Sequence, residues 1–243
     1  MRSICPPIRQ AEDRRTLRDP RSRYAGLWTE LEYCPADLSA RCPTESRHRR
    51  ARACADAMGL IPYWAKDPSI GLRTINAKAE TITTAPAFRE AIKYRRCLVP
   101  ADAFYEWVKL DAKNKQPFAI AMKDGQPYAL AGLWERWKDT KAGSELLTFT
   151  VITIDPNEVV EPLHDRMPVI IPQRDYDRWL KPNPDRPPID LLRAFEAEKM
   201  TAWKVDKAVG NVKNDRPDLM DPQSATPESV ENQAPTVPGP LFS

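Results

Sequence analysis

The chain has 243 residues, of which 42% are hydrophobic, with seven tryptophans and seven tyrosines, so it can bury one sizeable core. Its net charge of +3 is too small to indicate a nucleic-acid binder by itself. No run of 18 apolar residues occurs and the N-terminus lacks the apolar core of a signal peptide, so we expect a cytoplasmic protein with no membrane partner.

The first 57 residues differ in composition from the rest of the chain. They hold twelve of the 23 arginines and no lysine, whereas all fourteen lysines come later. Four of the five cysteines also lie there without a CxxC pair, which favours free thiols over a zinc site or a disulfide framework. We therefore expect an atypical segment over 1–57, either a basic arm for phosphates or a poorly folded stretch.

A domain of ordinary composition is predicted over 58–213. It begins with an apolar strand over 58–64. The alternation that follows is expected to place Asn76, Lys78 and Glu80 on one face of an extended segment. A proline-initiated helix is then predicted over 84–94.

The run from Tyr94 to Trp107 places a carboxylate among aromatic residues. An apolar triplet over 97–99 and a turn over 100–102 precede a second strand that starts at Phe104. In that strand Glu106 is either turned to water or held in a partly desolvated site. In the second case its pKa would rise toward the range that suits proton transfer.

The remaining pattern is mostly strand. Three strands separated by short polar turns are predicted over 118–122, 128–134 and 146–154, and such turns imply antiparallel pairing. A loop leads into a further strand over 169–171, and helical patterns around 175–180 and 189–199 close the domain. Residues 214–243 have few bulky apolar side chains, which predicts a disordered tail.

One of the two histidines is a candidate acid or base. His164 lies in a loop before a strand, where an imidazole can exchange protons near neutral pH. The alternative is a surface histidine paired with Asp165. A hydrolase or metal enzyme that uses Glu106, His164 and Asp165 is a further alternative, but one histidine with scattered acids falls short of a metal ligand set. We predict no metal and no cofactor, and the sequence has no glycine-rich phosphate loop.

Taken together, five motifs resemble the SRAP family, in the family's order and over about residues 58–217. They are INAKAET (75–81), FREAIKYRRCLVPADAFYEW (88–107), AGLWE (131–135), TFTVIT (148–153) and LHDRMPVII (163–171). The resemblance implies a β-rich α+β fold of mostly antiparallel strands, either two facing sheets or a distorted barrel with peripheral helices. It also implies a DNA-binding, monomeric protein whose partner is single-stranded DNA containing abasic sites.

The family's chemistry, as the resemblance implies it, is a covalent protein–DNA linkage. The α-amine of an N-terminal cysteine attacks the open aldehyde of the abasic sugar, and the thiol closes on the resulting imine to form a thiazolidine. The protein also removes its own initiator methionine, so lyase and protease activities are both implied. In this chain Asn76 would hold the sugar by amide hydrogen bonds, Glu106 would manage protons on the amine, and His164 would do so at the sugar oxygen.

Further residues are assigned to DNA contact by the same resemblance. Arg166 and Lys78 would bind flanking phosphates, with lysine standing where the family usually has arginine. The apolar surface for unstacked bases would come from Trp64, Met167 and Pro168. Thr153 would make a hydrogen bond to a sugar or a phosphate.

The N-terminus departs from the family's Met-Cys-Gly-Arg start. Here Cys5 follows four residues and precedes a proline, and without a free cysteine amine no thiazolidine forms. The abrupt return to family sequence at Met58 leads to the hypothesis of a frame-shifted reading or a misplaced gene start; a mass spectrum that matches 1–57 as written would refute it. The alternative function is a non-catalytic homologue that binds single-stranded DNA.

Overall fold

The computed structural model describes residues 57–139, 143–211, 213–214 and 216–223. Ten strands occur in this part of the chain: β1 (Ala57–Met58), β2 (Asn76–Lys78), β3 (Arg96–Ala101), β4 (Phe104–Lys109), β5 (Lys115–Met122), β6 (Tyr128–Lys138), β7 (Glu145–Ile154), β8 (Met167–Pro168), β9 (Ile170–Ile171) and β10 (Met200–Lys204). Two short α-helices are α1 (Ala91–Tyr94) and α2 (Tyr176–Leu180). The 3-10 helices are Pro68–Arg73, Ala79–Thr81, Gln173–Asp175, Ile189–Leu191, Ala197–Lys199, Lys207–Gly210 and Pro217–Met220.

The strands form two sheets. The large sheet has the order β1-β7-β6-β3, with β2 and β8 also pairing with β7 and β9 pairing with β6. Its long strands pair antiparallel, whereas β1 and β2 run parallel to β7. The small sheet has the order β10-β5-β4 and is antiparallel throughout. The fold is therefore β-rich and mixed α+β, as predicted, although the described strands do not close into a barrel.

Consecutive strands β3 and β4 belong to different sheets. The predicted turn between them is the short crossing at residues 102–103, which carries the chain from the large sheet to the small one. Within β4 the side chains alternate, so that Phe104 and Glu106 are buried while Tyr105 and Trp107 are only partly so. This alternation decides which residues face the large sheet.

The single residue Val169 bridges β6 and β7 where these two strands diverge. Its N–H donates to Ile152 O at 2.9 Å, and its carbonyl oxygen accepts from Ala131 N at 2.8 Å. On either side of it, β8 pairs with β7 and β9 pairs with β6. Because the chain is fixed to both strands here, the loop that precedes β8 is held at the same end of the large sheet as β2.

Apolar side chains fill both faces of the large sheet. One cluster, with Ala77, Leu133 and Ile152, packs against Ile92 of α1 and Trp179 of α2. On the other face, a cluster between the two sheets joins members of both: Phe104, Ile120, Met200, Leu130, Val151, Met167 and Ile170. Alternate residues of one strand therefore enter different cores, as the two-residue period requires.

Several sequence predictions differ from the structure. The strand over 58–64 is limited to Ala57–Met58, and the α-helix over 84–94 to Ala91–Tyr94. The 189–199 stretch forms 3-10 turns instead of a helix, and β10 was not predicted. The stripe on the shortened helical segment is nonetheless apolar and buried, with Phe88 and Ile92 in the core.

The boundary predicted at residue 213 lies too early. Leu219 is buried beside Val209, and Met220 O accepts from Trp203 Nε1 at 2.7 Å. Gln223 N then donates to Lys204 O at 2.8 Å. One leucine and these hydrogen bonds hold a polar stretch whose composition alone predicts a tail. No helix in the described ranges is long and apolar enough to cross a bilayer.

Candidate active site between the two sheets

Glu106 is a buried carboxylate in the centre of β4. Its side chain shares the face of β4 that carries Phe104 and is only 1% exposed. Burial raises the pKa of Glu106 to about 7, and the nearby negative charge of Asp165 acts in the same direction. Its Oε1 atom has no hydrogen-bond partner among the described residues. Of the two predicted environments for Glu106, the structure therefore has the desolvated one.

Asn76 faces the same space from the large sheet. In the parallel pair of β2 and β7, Asn76 lies opposite Val151, and directly paired residues project to the same side. Val151 packs in the cluster that contains Phe104 of β4, whereas the next residue, Ala77, enters the other core. Asn76 Oδ1 is also buried without a partner among the described residues.

The third predicted residue, His164, is delivered by the loop before β8. His164 N donates to Val160 O at 2.9 Å, and the adjacent Leu163 packs against the cluster between the sheets. The imidazole is about a quarter exposed, at 26%. Because Asp165 acts on the pKa of Glu106, this loop lies near the carboxylate. The loop that carries His164 therefore lies near Glu106, whereas Asn76 is placed by its register beside Val151.

The imidazole Nδ1 atom of His164 has two contacts that are mutually exclusive as hydrogen bonds in the neutral ring. Nδ1 accepts from Arg166 N at 3.0 Å, and it lies 2.9 Å from Asp165 Oδ1. A neutral ring that accepts from Arg166 carries its proton on Nε2. A ring that donates to Asp165 needs a proton on Nδ1. The two contacts therefore cannot both be hydrogen bonds in one tautomer of the ring.

Asn157 fixes this loop, and sequence reasoning missed it. Its side chain accepts from Val159 N and Val160 N at 3.2 Å each and donates to Phe195 O at 2.8 Å. It is 7% exposed, and its backbone N–H contacts Met167 Sδ at 3.3 Å. The signal was present in Asp155-Pro156-Asn157, because aspartate or asparagine next to proline is typical of turns.

Arg166 is placed at the site but its guanidinium is occupied. Nη1 and Nη2 donate to the two carboxylate oxygens of Glu80 at 2.8 Å each, and Nη1 also donates to Asp155 at 2.7 Å. Nη2 reaches Thr153 O at 2.6 Å. The Arg166 hydrogen bonds hold the pKa of Glu80 below its usual value. The predicted phosphate contact would therefore require an exchange of partners.

The other predicted DNA contacts divide into exposed and buried residues. Lys78 is exposed and lies opposite Thr153 of β7, which in turn lies opposite Pro168. Thr153 is 3% exposed, Pro168 is buried and Met167 is fully buried in the cluster between the sheets. Because these three residues are buried, they do not form an open surface for bases.

Trp64 is half exposed, at 49%, but lies toward the other end of β7. On one side of Trp64, Ile61 N donates to Thr148 Oγ1 of β7. On the other side, Ala65 O accepts from Nε1 of Trp137, a residue of β6 that pairs with Leu146 of β7. Thr153 is five or more residues further along the strand, roughly 16 Å at the rise of an extended chain. The structure therefore does not bring Trp64 next to Lys78 and Thr153.

The cysteine assigned to the covalent step, Cys5, lies outside the described residues. Cys97 is the one free cysteine within them, and burial raises its pKa to about 12, which keeps it as an inert thiol. In the described ranges no three His, Cys, Asp or Glu side chains are grouped to hold a metal ion.

The site offers two acceptors and one donor without protein partners. Besides Asn76 Oδ1 and Glu106 Oε1, the buried Arg166 Nε has no partner in the part of the chain described. Buried polar atoms are nearly always satisfied in folded proteins, so such a group indicates a place for a polar ligand or water. A carboxyl group with a pKa of about 7 can both take up and release protons at neutral pH.

Known proteins with similar sequences agree on one family. The model of the SOS response associated peptidase (SRAP) family matches residues 16–212. The match begins inside the 1–57 segment, so family similarity is not restricted to the residues after it. The chain is 45% identical over 165 residues to the abasic site processing protein YoqW of Bacillus subtilis, covering 67% of this chain and 73% of that protein. It is 30% identical over 202 residues to the abasic site processing protein HMCES of Gallus gallus, covering 72% of this chain and 59% of that protein.

A solved structure has a similar fold. A protein from Bacteroides thetaiotaomicron superposes with a TM-score of 0.62 at 34% sequence identity, covering 68% of this chain and 75% of that chain. The family match spans most of the residues, and the first relative is well above 30% identity. The chain belongs to the SOS response associated peptidase family.

Proposed function

We propose that this protein binds single-stranded DNA at abasic sites and processes them in the space between Glu106, Asn76 and His164. The observation that carries the proposal is that one side-chain oxygen of Glu106 and one of Asn76 are buried without a hydrogen-bond partner among the described residues, on strands of different sheets. An abasic sugar carries a hydroxyl group that can donate a hydrogen bond to such an oxygen. Relatives that share much of the chain are named abasic site processing proteins, which fits this substrate.

The covalent chemistry requires a cysteine at the N-terminus, which in this chain means that Cys5 loses the four residues before it. Once the sugar ring is open, Glu106 acts as a base. Its ionised form accepts a proton from the attacking amine as the carbon–nitrogen bond to C1′ of the open aldehyde forms. His164 donates a proton to the sugar oxygen as the ring opens, and one water leaves when the imine forms. Addition of the cysteine thiol to the imine carbon then completes the thiazolidine, with no oxidant or reductant. Asn76 holds the sugar during these steps.

A denaturing gel tests the covalent and the non-covalent version together. Purified full-length protein is incubated with a single-stranded oligonucleotide that carries one abasic site, or with its tetrahydrofuran analogue, which has no aldehyde. An adduct that survives heating, forms only with the aldehyde and has the summed mass less one water supports cross-linking. Salt-sensitive binding without an adduct supports the non-catalytic alternative. If the protein neither binds the oligonucleotide nor forms an adduct, the proposal is overturned.

Variants of the three residues separate chemistry from binding. Glu106→Gln and His164→Gln are expected to slow adduct formation about 100-fold or more, since one positioned acid or base contributes about 10² to 10⁴. Both should retain affinity for the tetrahydrofuran analogue. Glu161→Gln, an exposed acid on the same loop as His164, is the matched control and should leave the rate unchanged.

A further inference from the structure

A cluster of lysines surrounds Trp107 on the outer face of the small sheet. We call it the lysine patch; it consists of Lys109, Lys113, Lys115 and Lys207, all exposed. A concave pocket of about 310 Å³ opens here, lined by Trp107, Lys113, Asn114, Lys115, Pro117 and Lys207. Trp107 is next to Glu106 in β4 and projects from the opposite face, so the patch is separate from the candidate active site.

The charges of the lysine patch are not balanced. Lys109 and Lys115 lie directly opposite each other in the β4–β5 pair, an arrangement of like charges that disfavours the hairpin. None of the four lysines forms an ion pair within the described residues. Two carboxylates lie beside the four lysines: Asp111 accepts from Lys113 N and Asn114 N at 2.8 Å each and interacts electrostatically with Lys207, and Asp206 accepts from Ala208 N at 2.7 Å. The patch therefore keeps an excess of positive charge.

A flat aromatic surface lies within this cationic field. Trp107 is partly exposed and packs against Tyr105, with ring centroids 6.4 Å apart at 52°. The same cluster includes Val209, so the ring is supported from behind. Aromatic rings beside lysines suit a polyanion that carries π-faces, because bases stack on the ring while phosphates pair with the cations. An acidic peptide would use the charges but not the ring.

The position of β4 connects this patch to the active site. Within the described ranges β4 is an edge strand of the small sheet. Glu106 and Trp107 therefore lie on the two faces of one edge strand, separated by about one sheet thickness, roughly 10 Å. A strand that leaves the site and passes around this edge reaches the lysine patch after a few nucleotides.

We infer that the lysine patch binds the phosphodiester backbone of the DNA strand beyond the lesion, as a second contact that does not depend on the abasic sugar. The inference rests on the proposed function for the identity of the strand. It adds a separate surface, on the other face of β4, that supplies affinity for flanking nucleotides. Single-stranded DNA long enough to span both faces should therefore bind more tightly than a short oligonucleotide.

The test compares two triple variants of equal charge in full-length protein. Lys113, Lys115 and Lys207 are changed to Gln in one, and the exposed lysines Lys123, Lys138 and Lys181 of other surfaces are changed to Gln in the control. Affinity for undamaged single strands of about 30 and about 8 nucleotides is measured from 50 to 200 mM salt. Each lost phosphate contact lowers the slope of log affinity against log salt by about 0.7.

For the patch variant we expect about tenfold weaker binding of the long strand and a slope reduced by about 2. Short abasic strands should form the adduct or bind as wild type does. Equal loss in both triple variants, or loss of polyglutamate binding with unchanged DNA binding, would overturn the inference while leaving the proposed function intact. A wild-type protein that binds neither length would overturn both. Thermal unfolding of all three proteins checks that they are folded.

Discussion

Arg166 and Glu80 form a bidentate ion pair in which Nη1 donates to Oε1 and Nη2 donates to Oε2, each at 2.8 Å. Asp155 adds a second carboxylate to Nη1. The cation predicted to contact phosphate is thus paired with acids in the free protein. Two oxygens of a phosphate can accept from a guanidinium in the same bidentate way as a carboxylate, so a phosphate competes with Glu80 for one site.

We predict that Glu80→Gln strengthens binding of undamaged single-stranded DNA. The substitution removes one of the two carboxylates that compete with phosphate for Arg166. The free energy needed to exchange a carboxylate for a phosphate then falls by the value of a partly exposed ion pair, about 0.2 to 1 kcal/mol, which corresponds to up to about fivefold in affinity. Fluorescence anisotropy at 50 mM salt measures it. Glu161→Gln removes the same charge from the His164 loop and is the control; weaker binding by Glu80→Gln would show that Glu80 positions Arg166 for DNA.

Glu106 makes the stability of the protein dependent on pH. The folded state raises its pKa from 4.5 to about 7, so between these values the folded protein binds more protons than the unfolded chain and stability falls as pH rises. Glu106→Gln abolishes this fall. We expect the free energy of unfolding of Glu106→Gln, relative to that of wild type, to increase by on the order of 2 kcal/mol between pH 4.5 and 7. Above pH 7 the difference should level off.

Urea unfolding at pH 4.5, 6, 7 and 8 checks this prediction. A difference between Glu106→Gln and wild type that stays constant over this range would contradict it. In the proposed reaction the same ionisation has the opposite consequence, because the base must be ionised. The rate of adduct formation should therefore rise with pH and reach a plateau above about 7.

Met167 is predicted to act as a core residue. Met167→Ala should destabilise the protein by about 2 to 5 kcal/mol, since its side chain is fully buried between the sheets. Met167→Leu keeps the volume and should cost less than about 1.5 kcal/mol. If Met167→Ala instead unfolds like wild type but binds DNA weakly, the role in base contact would be correct.

Arg96 joins both helices to the large sheet. Its guanidinium donates to carbonyl oxygens of Ile92, Lys93, Trp179 and Lys181, at the ends of α1 and α2. Lysine has one nitrogen and cannot reach all four, so Arg96→Lys should lose about 2 to 4 kcal/mol in urea unfolding. Arg193→Lys, on an exposed residue, should stay within about 0.5 kcal/mol.

Alternation and turn residues predicted the long strands, because these segments bury one face and signal it in sequence. They also placed Asn76 and Lys78 on one side of an extended segment, but the predicted third member, Glu80, lies in the 3-10 helix Ala79–Thr81 that follows β2. The short β10 was missed, since five residues of mixed polarity carry little periodicity. The grouping of residues 76, 106 and 164 into one site came from family resemblance alone and stays a prediction.

Partners distant in sequence account for what sequence could not predict. Arg166 is separated from Glu80 by 86 positions, and nothing local to either residue signals the pair. Met167 and Pro168 look suited to a surface beside a charged loop, yet their register against Thr153 and Ile154 turns them inward. Burial of this kind is decided by which strands are neighbours, not by the residues themselves.

The bridge at Val169 consists of main-chain hydrogen bonds only. Any side chain that fits the core can therefore occupy the position without moving the loop that carries His164, but a change in chain length cannot be absorbed. One inserted residue would reverse inward and outward positions on one side of the bridge. Proline would remove the N–H that holds β7. Deletion and insertion scanning, more than residue-type scanning, should reveal how tightly this loop is registered.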